Sequence, residues 1–263
     1  MAAKISYRSY LQLSTLLACQ QPLSEAHDEL LFISIHQASE IWLKLCLFEL
    51  RTARARIAAD DLDPAFKMMA RVARIQAQMI QSWEVLATMT PADYTQMRGK
   101  LGTSSGFQSD QYRQVEFLLG AKNADMLEVH REDPEVLARL EADLKAPSLY
   151  DETLRLLARR GFAIDAASLE RDFSRPYAAS VAVEQAWAAV YRDPERHWDL
   201  YELAEKLVDL EYHVQLWRFG HLKTVERVIG FKTGTGGTAG VQYLAKVLEQ
   251  TFFPELLSVR TKL

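Results

Sequence analysis

The sequence predicts an all-α fold, a bundle of helices around one large core, on three observations. Apolar residues recur at spacings of three and four along almost the whole chain, no segment alternates with period two for long enough to make a strand, and Pro and Gly fall where helices would start and stop. A first helix is expected over residues 7–19, ending ahead of Pro22, and a second from about Asp28 to Ala59. Asp63 followed by Pro64 reads as an N-cap and first-turn pair that opens a third helix, whose inner face carries Met69, Val72, Gln76, Met79, Trp83 and Leu86. Thr90, Pro91 and Asp93 repeat the signal for a short fourth helix. The run Gly102-Thr103-Ser104-Ser105-Gly106 interrupts it, and a fifth helix extends from near Ser109 to Gly120. From Asn123 to Arg192 shorter helices alternate with breaks at Pro134, Pro147, Gly161 and Pro176, and no chemistry is assigned to them. A long helix is expected from near Pro194 to Gly230, then a glycine-rich loop from Lys232 to Gly240 and a last helix to about Glu249.

A chain of 263 residues that is 49% hydrophobic can bury a substantial core as one domain, 1–263. Its 31 Lys and Arg against 35 Asp and Glu give a net charge of -4, so no overall basic field invites nucleic acid or anionic lipid, and a small neutral or zwitterionic partner fits better. Cys19 and Cys46 are too few for a disulfide framework or a Cys-rich metal site, which favours a reducing compartment. The first ten residues lack the apolar centre of a signal peptide. The most apolar stretch, Leu30 to Leu50, is broken by His36, Glu40, Lys44 and Glu49. A cytoplasmic protein with no membrane partner is the expectation.

The chemistry begins with one residue out of place. Leu200, Leu203, Leu207, Leu210, Val214, Trp217 and His221 form a continuous stripe on the long helix, and the stripe ends on an imidazole. A core histidine bonded to a carbonyl is the plain alternative. Gly220 argues for more, because it costs about 1 kcal/mol inside a helix and would let a flat group come close. On the second helix Phe32, His36 and Leu43 share a face, placing an aromatic ring and a second imidazole together. No HExxH or ExxH pair surrounds any of the six histidines, so a dinuclear carboxylate site fits poorly, whereas one imidazole axial to a haem iron with a second on the open face needs only two distant histidines. Tyr94 and Arg98 lie four apart, so a phenol and a planar guanidinium fork can grip one carboxylate; a surface arginine stacked on tyrosine is the alternative. Gly234, Gly236 and Ala239 satisfy GxGxxA in form only, since a helix and not a strand precedes them. A loop closing over a small ligand with the Thr235 hydroxyl is one reading and a simple connector the other.

Taken together, the chain resembles the tryptophan 2,3-dioxygenase family from Tyr7 to Thr261. The strings that carry the resemblance are Tyr7-Arg8-Ser9-Tyr10-Leu11, His36-Gln37-Ala38-Ser39-Glu40-Ile41-Trp42-Leu43-Lys44, Tyr94 with Arg98, Ser104-Ser105-Gly106-Phe107-Gln108-Ser109, Arg227-Val228-Ile229-Gly230, Gly234-Thr235-Gly236-Gly237 and Phe252-Phe253-Pro254-Glu255-Leu256. The resemblance implies a helical bundle with a haem b pocket between long helices, and an enzyme that inserts both atoms of dioxygen across the indole C2–C3 bond of L-tryptophan. It implies that His221 is the proximal iron ligand and His36 the distal catalytic histidine. Phe32, Ile33, Ser34 and Ile35 would adjoin the substrate with Tyr94, Arg98 and Thr235, and Trp83, Ser105 and Gly106 would adjoin the haem. It further implies a homotetramer in which Tyr7, Tyr10 and Leu11 reach a neighbouring subunit's site. Ile41 stands where the family usually has leucine, and Thr238-Ala239 where its loop usually has serines. A haem carrier without turnover and a cofactor-free helical interaction protein are the rival readings.

Overall fold

Three long helices carry most of the core in this computed structural model, which describes residues 5–232, 234 and 239–263. They are α3 (Glu29–Ala58), α4 (Leu62–Leu86) and α11 (Trp198–Ile229), and α4 packs against both of the others. Each follows its apolar period. Leu43, Cys46, Leu47, Leu50, Ala53 and Ile57 are buried on α3, Met69, Val72, Ile75 and Met79 on α4, and Leu200, Leu203, Leu207 and Leu210 on α11. Burial of each large apolar side chain is worth about 1.5–3 kcal/mol, so the three seams outweigh any single cap or ion pair.

Shorter helices wrap this frame: α5 (Pro91–Arg98) and α12 (Val241–Leu248) against α11, α6 (Asp110–Leu119) and α8 (Leu149–Arg159) against α3, and α7 (Pro134–Lys145) against α6. α9 (Ala166–Leu169), α10 (Val181–Arg192) and α13 (Pro254–Ser258) complete one side. The expected start signals hold at α5, where Thr90 and Asp93 form a reciprocal capping box ahead of Pro91, and at α6, where the Ser109 hydroxyl accepts from Tyr112 N. Gly120 ends α6 at φ 115, a left-handed turn that glycine adopts without strain. Among the described residues no strand is present.

Three boundaries differ from expectation. The third helix opens at Leu62 after Asp61, so Asp63 and Pro64 lie within its first turn and Asp63 is not its cap. The first helix is split into α1 (Tyr7–Tyr10) and α2 (Leu13–Leu16) by Gln12, whose φ of 52 is left-handed. The long helix begins at Trp198 and not at Pro194, because residues 194–197 form a turn closed by bonds from His197 N and Arg196 N to Asp193. A further helix, α13, follows the expected last one and is pinned by a buried carboxylate. Glu255 accepts from Tyr150 Oη at 2.8 Å, Tyr177 Oη at 2.6 Å and Ser180 N at 2.7 Å, while Trp187 Nε1 donates to Tyr150 Oη at 3.0 Å.

α3 is, by length and composition, the one described helix that could cross a membrane. It is amphipathic in an unusual way: Leu43, Cys46, Leu47, Leu50, Ala53 and Ile57 face the core, while Leu30, Ile41, Trp42 and Phe48 stay exposed. The two thiols differ as sharply. Cys19 is exposed beside α2, whereas Cys46 is buried on α3 and burial, with Glu49 adding, pushes its thiol up to about 12.

Replacing Glu255 by Leu removes one acceptor and leaves three donors unpaired, the Tyr150 hydroxyl in the core and those of Tyr177 and Ser180 at its margin. Each buried unpaired donor costs on the order of 1–3 kcal/mol, so urea unfolding followed by far-UV circular dichroism should show a midpoint well below the parent's. An unchanged midpoint would mean that α13 is held by its apolar contacts alone.

Candidate active site

Where α3, α4 and α11 come together at one end, the side chains that face inward leave a cavity instead of filling it. It holds about 1540 Å³ of atom-free space, part of it open to solvent, and is lined among others by Phe32, His36, Trp83, Trp217 and His221. The stripe on α11 explains how the cavity opens. After Val214 the buried positions are Arg218, Leu222, Thr224 and Val228, whereas Trp217 and His221 are only partly buried and line the space.

On α3, His36 Nδ1 lies 2.7 Å from the Phe32 carbonyl oxygen one turn back. A carbonyl can only accept, so Nδ1 carries the proton and Nε2 keeps its lone pair. Burial lowers the pKa of His36, against the opposing pull of that hydrogen bond and of Glu40, so the neutral ring is favoured. The Phe32 ring packs on the imidazole with centroids 4.1 Å apart.

His221 is neutral for a similar reason. Its remaining surface faces the cavity and not bulk water, and burial, with the His36 imidazole across the space adding to it, lowers its pKa to about 4. Trp83 stacks on the ring with centroids 4.8 Å apart and planes 7° apart. The flat group that Gly220 admits is therefore an indole from α4: a Cβ at 220 would come within 2.8 Å of Trp83 Cδ1.

A charged cluster that the sequence pattern did not reveal forms another wall. Arg113 and Glu116 on α6 form an ion pair and are both buried, and Arg218 Nη2 donates to Glu116 Oε1 at 2.8 Å, Nε to Tyr112 Oη at 3.2 Å and Nη1 to the Val247 carbonyl at 3.0 Å. Two guanidinium groups thus share one carboxylate beside the cavity. The available signal was Arg218 itself, a cation four residues after Val214 on an otherwise apolar stripe.

The remaining expected residues fall into five groups. Ser105 and Gly106 line the cavity, with the Ser105 hydroxyl accepting from Phe107 N. Tyr94 lines it too and is buried, and burial raises its pKa, against the pull of Arg98. Arg98 lies 5.9 Å over the Tyr94 ring and lines a second cavity that shares Tyr94, Val228 and Ile229 with the first. Ile33, Ser34 and Ile35 do not line the large cavity; Ser34 is exposed and Ile35 packs in the apolar cluster of Leu86, Met89 and Met97. Tyr7 and Tyr10 are 77% and 75% exposed and, like Leu11, lie outside the cavity of their own chain. Thr235 lies outside the described residues.

A sequence model of tryptophan 2,3-dioxygenase matches residues 1–263. The chain belongs to this family. It is 64% identical to the tryptophan 2,3-dioxygenase of Erythrobacter litoralis over 261 residues, which span 99% of each chain. It is 60% identical to that of Polaromonas sp., covering 98% of this chain and 88% of the relative, and 58% identical to that of Cupriavidus necator, covering 100% and 89%.

Tryptophan 2,3-dioxygenases depend on haem, and the donor set here fits one. Among the described residues no group of three or more His, Cys, Asp or Glu could hold a bare metal ion. A metal that arrives held by a macrocycle needs only one axial donor, and a neutral imidazole whose lone pair is free at neutral pH supplies it. The Arg113, Glu116 and Arg218 cluster carries one positive charge in excess, which suits a macrocycle bearing carboxylates.

Replacing Arg218 by Met should lower stability by about 3–5 kcal/mol, because it takes one partner from a buried ion cluster. Chemical denaturation measures this, and an unchanged midpoint would show that the cluster does not tie α6 to α11.

Proposed function

We propose that this chain is a haem b enzyme that cleaves the indole C2–C3 bond of L-tryptophan with dioxygen and releases N-formyl-L-kynurenine, with His221 as axial ligand and His36 facing the substrate. One observation carries the reading: two neutral imidazoles on different long helices look into one large cavity. Both oxygen atoms end in the product, so the overall reaction balances without any added reductant. When bound, ferrous haem supplies the activation of dioxygen.

The protein's own contribution is to hold the substrate. With Nδ1 committed to the Phe32 carbonyl, His36 Nε2 accepts a hydrogen bond from the indole N–H. It does not remove that proton beforehand. If the N–H is about as acidic as water, near 15.7, transfer to an imidazole of ordinary pKa about 6.5 is uphill by roughly 9 units, or about 12 kcal/mol, and burial makes His36 a weaker base still. A turnover of about 10 s⁻¹ allows a total barrier of only about 16 kcal/mol. Phe32 packs the apolar side of the indole. Tyr94, at the seam of the two cavities, and the Arg98 fork beside it hold the carboxylate, and the family resemblance gives the ammonium group to Thr235, which lies outside the described residues.

The working assembly is a cytoplasmic homotetramer in which each N-terminal segment reaches a neighbour's site. The exposure of Tyr7, Tyr10 and Leu11 supports this, as do the uncovered apolar side chains of α3 and, on α11, Tyr212, Leu216 and Phe219. No nucleic acid or membrane enters the reading, in keeping with a net charge of -4.

Haem-loaded protein given L-tryptophan under oxygen should form N-formylkynurenine, seen by its near-ultraviolet absorbance; haem binding without product would leave a carrier. His221→Ala should lose stable haem binding at unchanged helicity, and full occupancy would move the axial ligand elsewhere. Arg98→Lys keeps the charge and loses the fork, so KM should rise on the order of tenfold, and an equal KM would refute the clamp. His36→Ala should keep measurable turnover of L-tryptophan; complete loss in folded, haem-replete protein would establish that deprotonation is obligatory.

A further inference from the structure

An axial imidazole can rotate about its side-chain bonds unless something holds it. The usual restraint is a hydrogen bond from the ring nitrogen that does not face the metal to a carboxylate, a carbonyl or water. Two other histidines in these helices use a carbonyl: His36 Nδ1 donates to Phe32 O and His213 Nδ1 to Asp209 O, each at 2.7 Å. His221 has no such partner among the described residues.

Two aromatic rings lie against it. The Trp83 indole covers the ring nearly parallel, 4.8 Å between centroids, and Trp217 leans on it at 5.6 Å and 40°. Trp217 also packs on Trp83 at 5.3 Å, so the indole is itself wedged. The stack requires Gly220, since a methyl group there would overlap Trp83 Cδ1 at 2.8 Å.

We propose that Trp83 is a positioning residue for His221, its indole admitted by Gly220 and fixing the plane of the imidazole in place of a hydrogen-bonded partner. The proposal rests on the reading of His221 as the iron's axial ligand. The substitution has an electronic consequence. A carboxylate partner raises the basicity of a ligating imidazole, which favours the ferric ion. A stacked indole restrains the ring and adds no charge, so the ligand stays neutral and the ferrous state is favoured by comparison.

The test compares the haem-loaded parent with Trp83→Leu, Trp83→Phe and Gly220→Ala. Two quantities are read: the iron–histidine stretching band of the ferrous protein by resonance Raman, and the rate of haem transfer to apomyoglobin. Circular dichroism checks that each variant is folded. Trp83→Leu should shift or broaden the band and speed haem loss by about ten- to hundredfold, as when an outer partner of a metal ligand is removed. Trp83→Phe, which keeps an aromatic face, should restore most of the parent's behaviour. Gly220→Ala should act like Trp83→Leu although the indole is still present. A tryptophan that only fills space would lower the melting temperature and leave the band where it was. Folded, haem-loaded Trp83→Leu and Gly220→Ala with the parent's band and loss rate would overturn the proposal. A parent that binds haem without an iron–histidine band would overturn the axial assignment itself, and the proposal with it.

Discussion

Helix α4 touches both α3 and α11, and because those two carry His36 and His221, the side chains of α4 govern how far apart the two imidazoles stand. Below the site this contact is ordinary aliphatic packing, with Met69, Val72 and Met79 buried between neighbours. At the site the small and medium residues give way to Trp83, whose indole packs on Trp217 and His221 of α11. The cavity lies beside that aromatic cluster. A close-packed interior does not leave such a volume by default, so its persistence depends on the stiffness of the frame around it.

The frame is stiff partly because several of its buried charges are held by partners from distant segments. Glu211 on α11 accepts from Phe252 N and Phe253 N at 3.1 Å each, and Glu255 takes three donors from the segments around α8 and α10, so the C-terminal residues are fastened to the body at two buried carboxylates. Arg218 does the equivalent at the cavity, joining α11 to α6 and to the end of α12. Buried ions of this kind add little net stability when they form but are costly to break. They therefore act more as locators than as adhesive.

The helices were legible because their period is long and their start signals are chemical: Thr90 with Asp93 and Ser109 behave as caps in the fold as they do on paper. His36 and His221 could be singled out because each breaks an apolar pattern. Arg218 breaks the same pattern, yet its meaning lies in Glu116 and Tyr112, residues about a hundred positions away that no local spacing connects to it. Gln12 was opaque for the opposite reason: nothing in a glutamine announces a left-handed backbone, and its conformation is set by the turn it sits in. Gly220 was half legible. Its lack of a side chain signalled a close approach, but which ring approached depended on the crossing of α4.

The contrast between the two thiols has a practical side. Cys46 is sealed on α3 with its thiol pushed up to about 12, so it offers no thiolate to oxidants or alkylating reagents, even in a protein that handles dioxygen. Cys19 is exposed, and its carbonyl accepts from the Gln37 side chain one residue after His36, at the root of the N-terminal segment. The unaltered chain therefore already contains a single addressable label, seated where that arm joins the wall of the cavity.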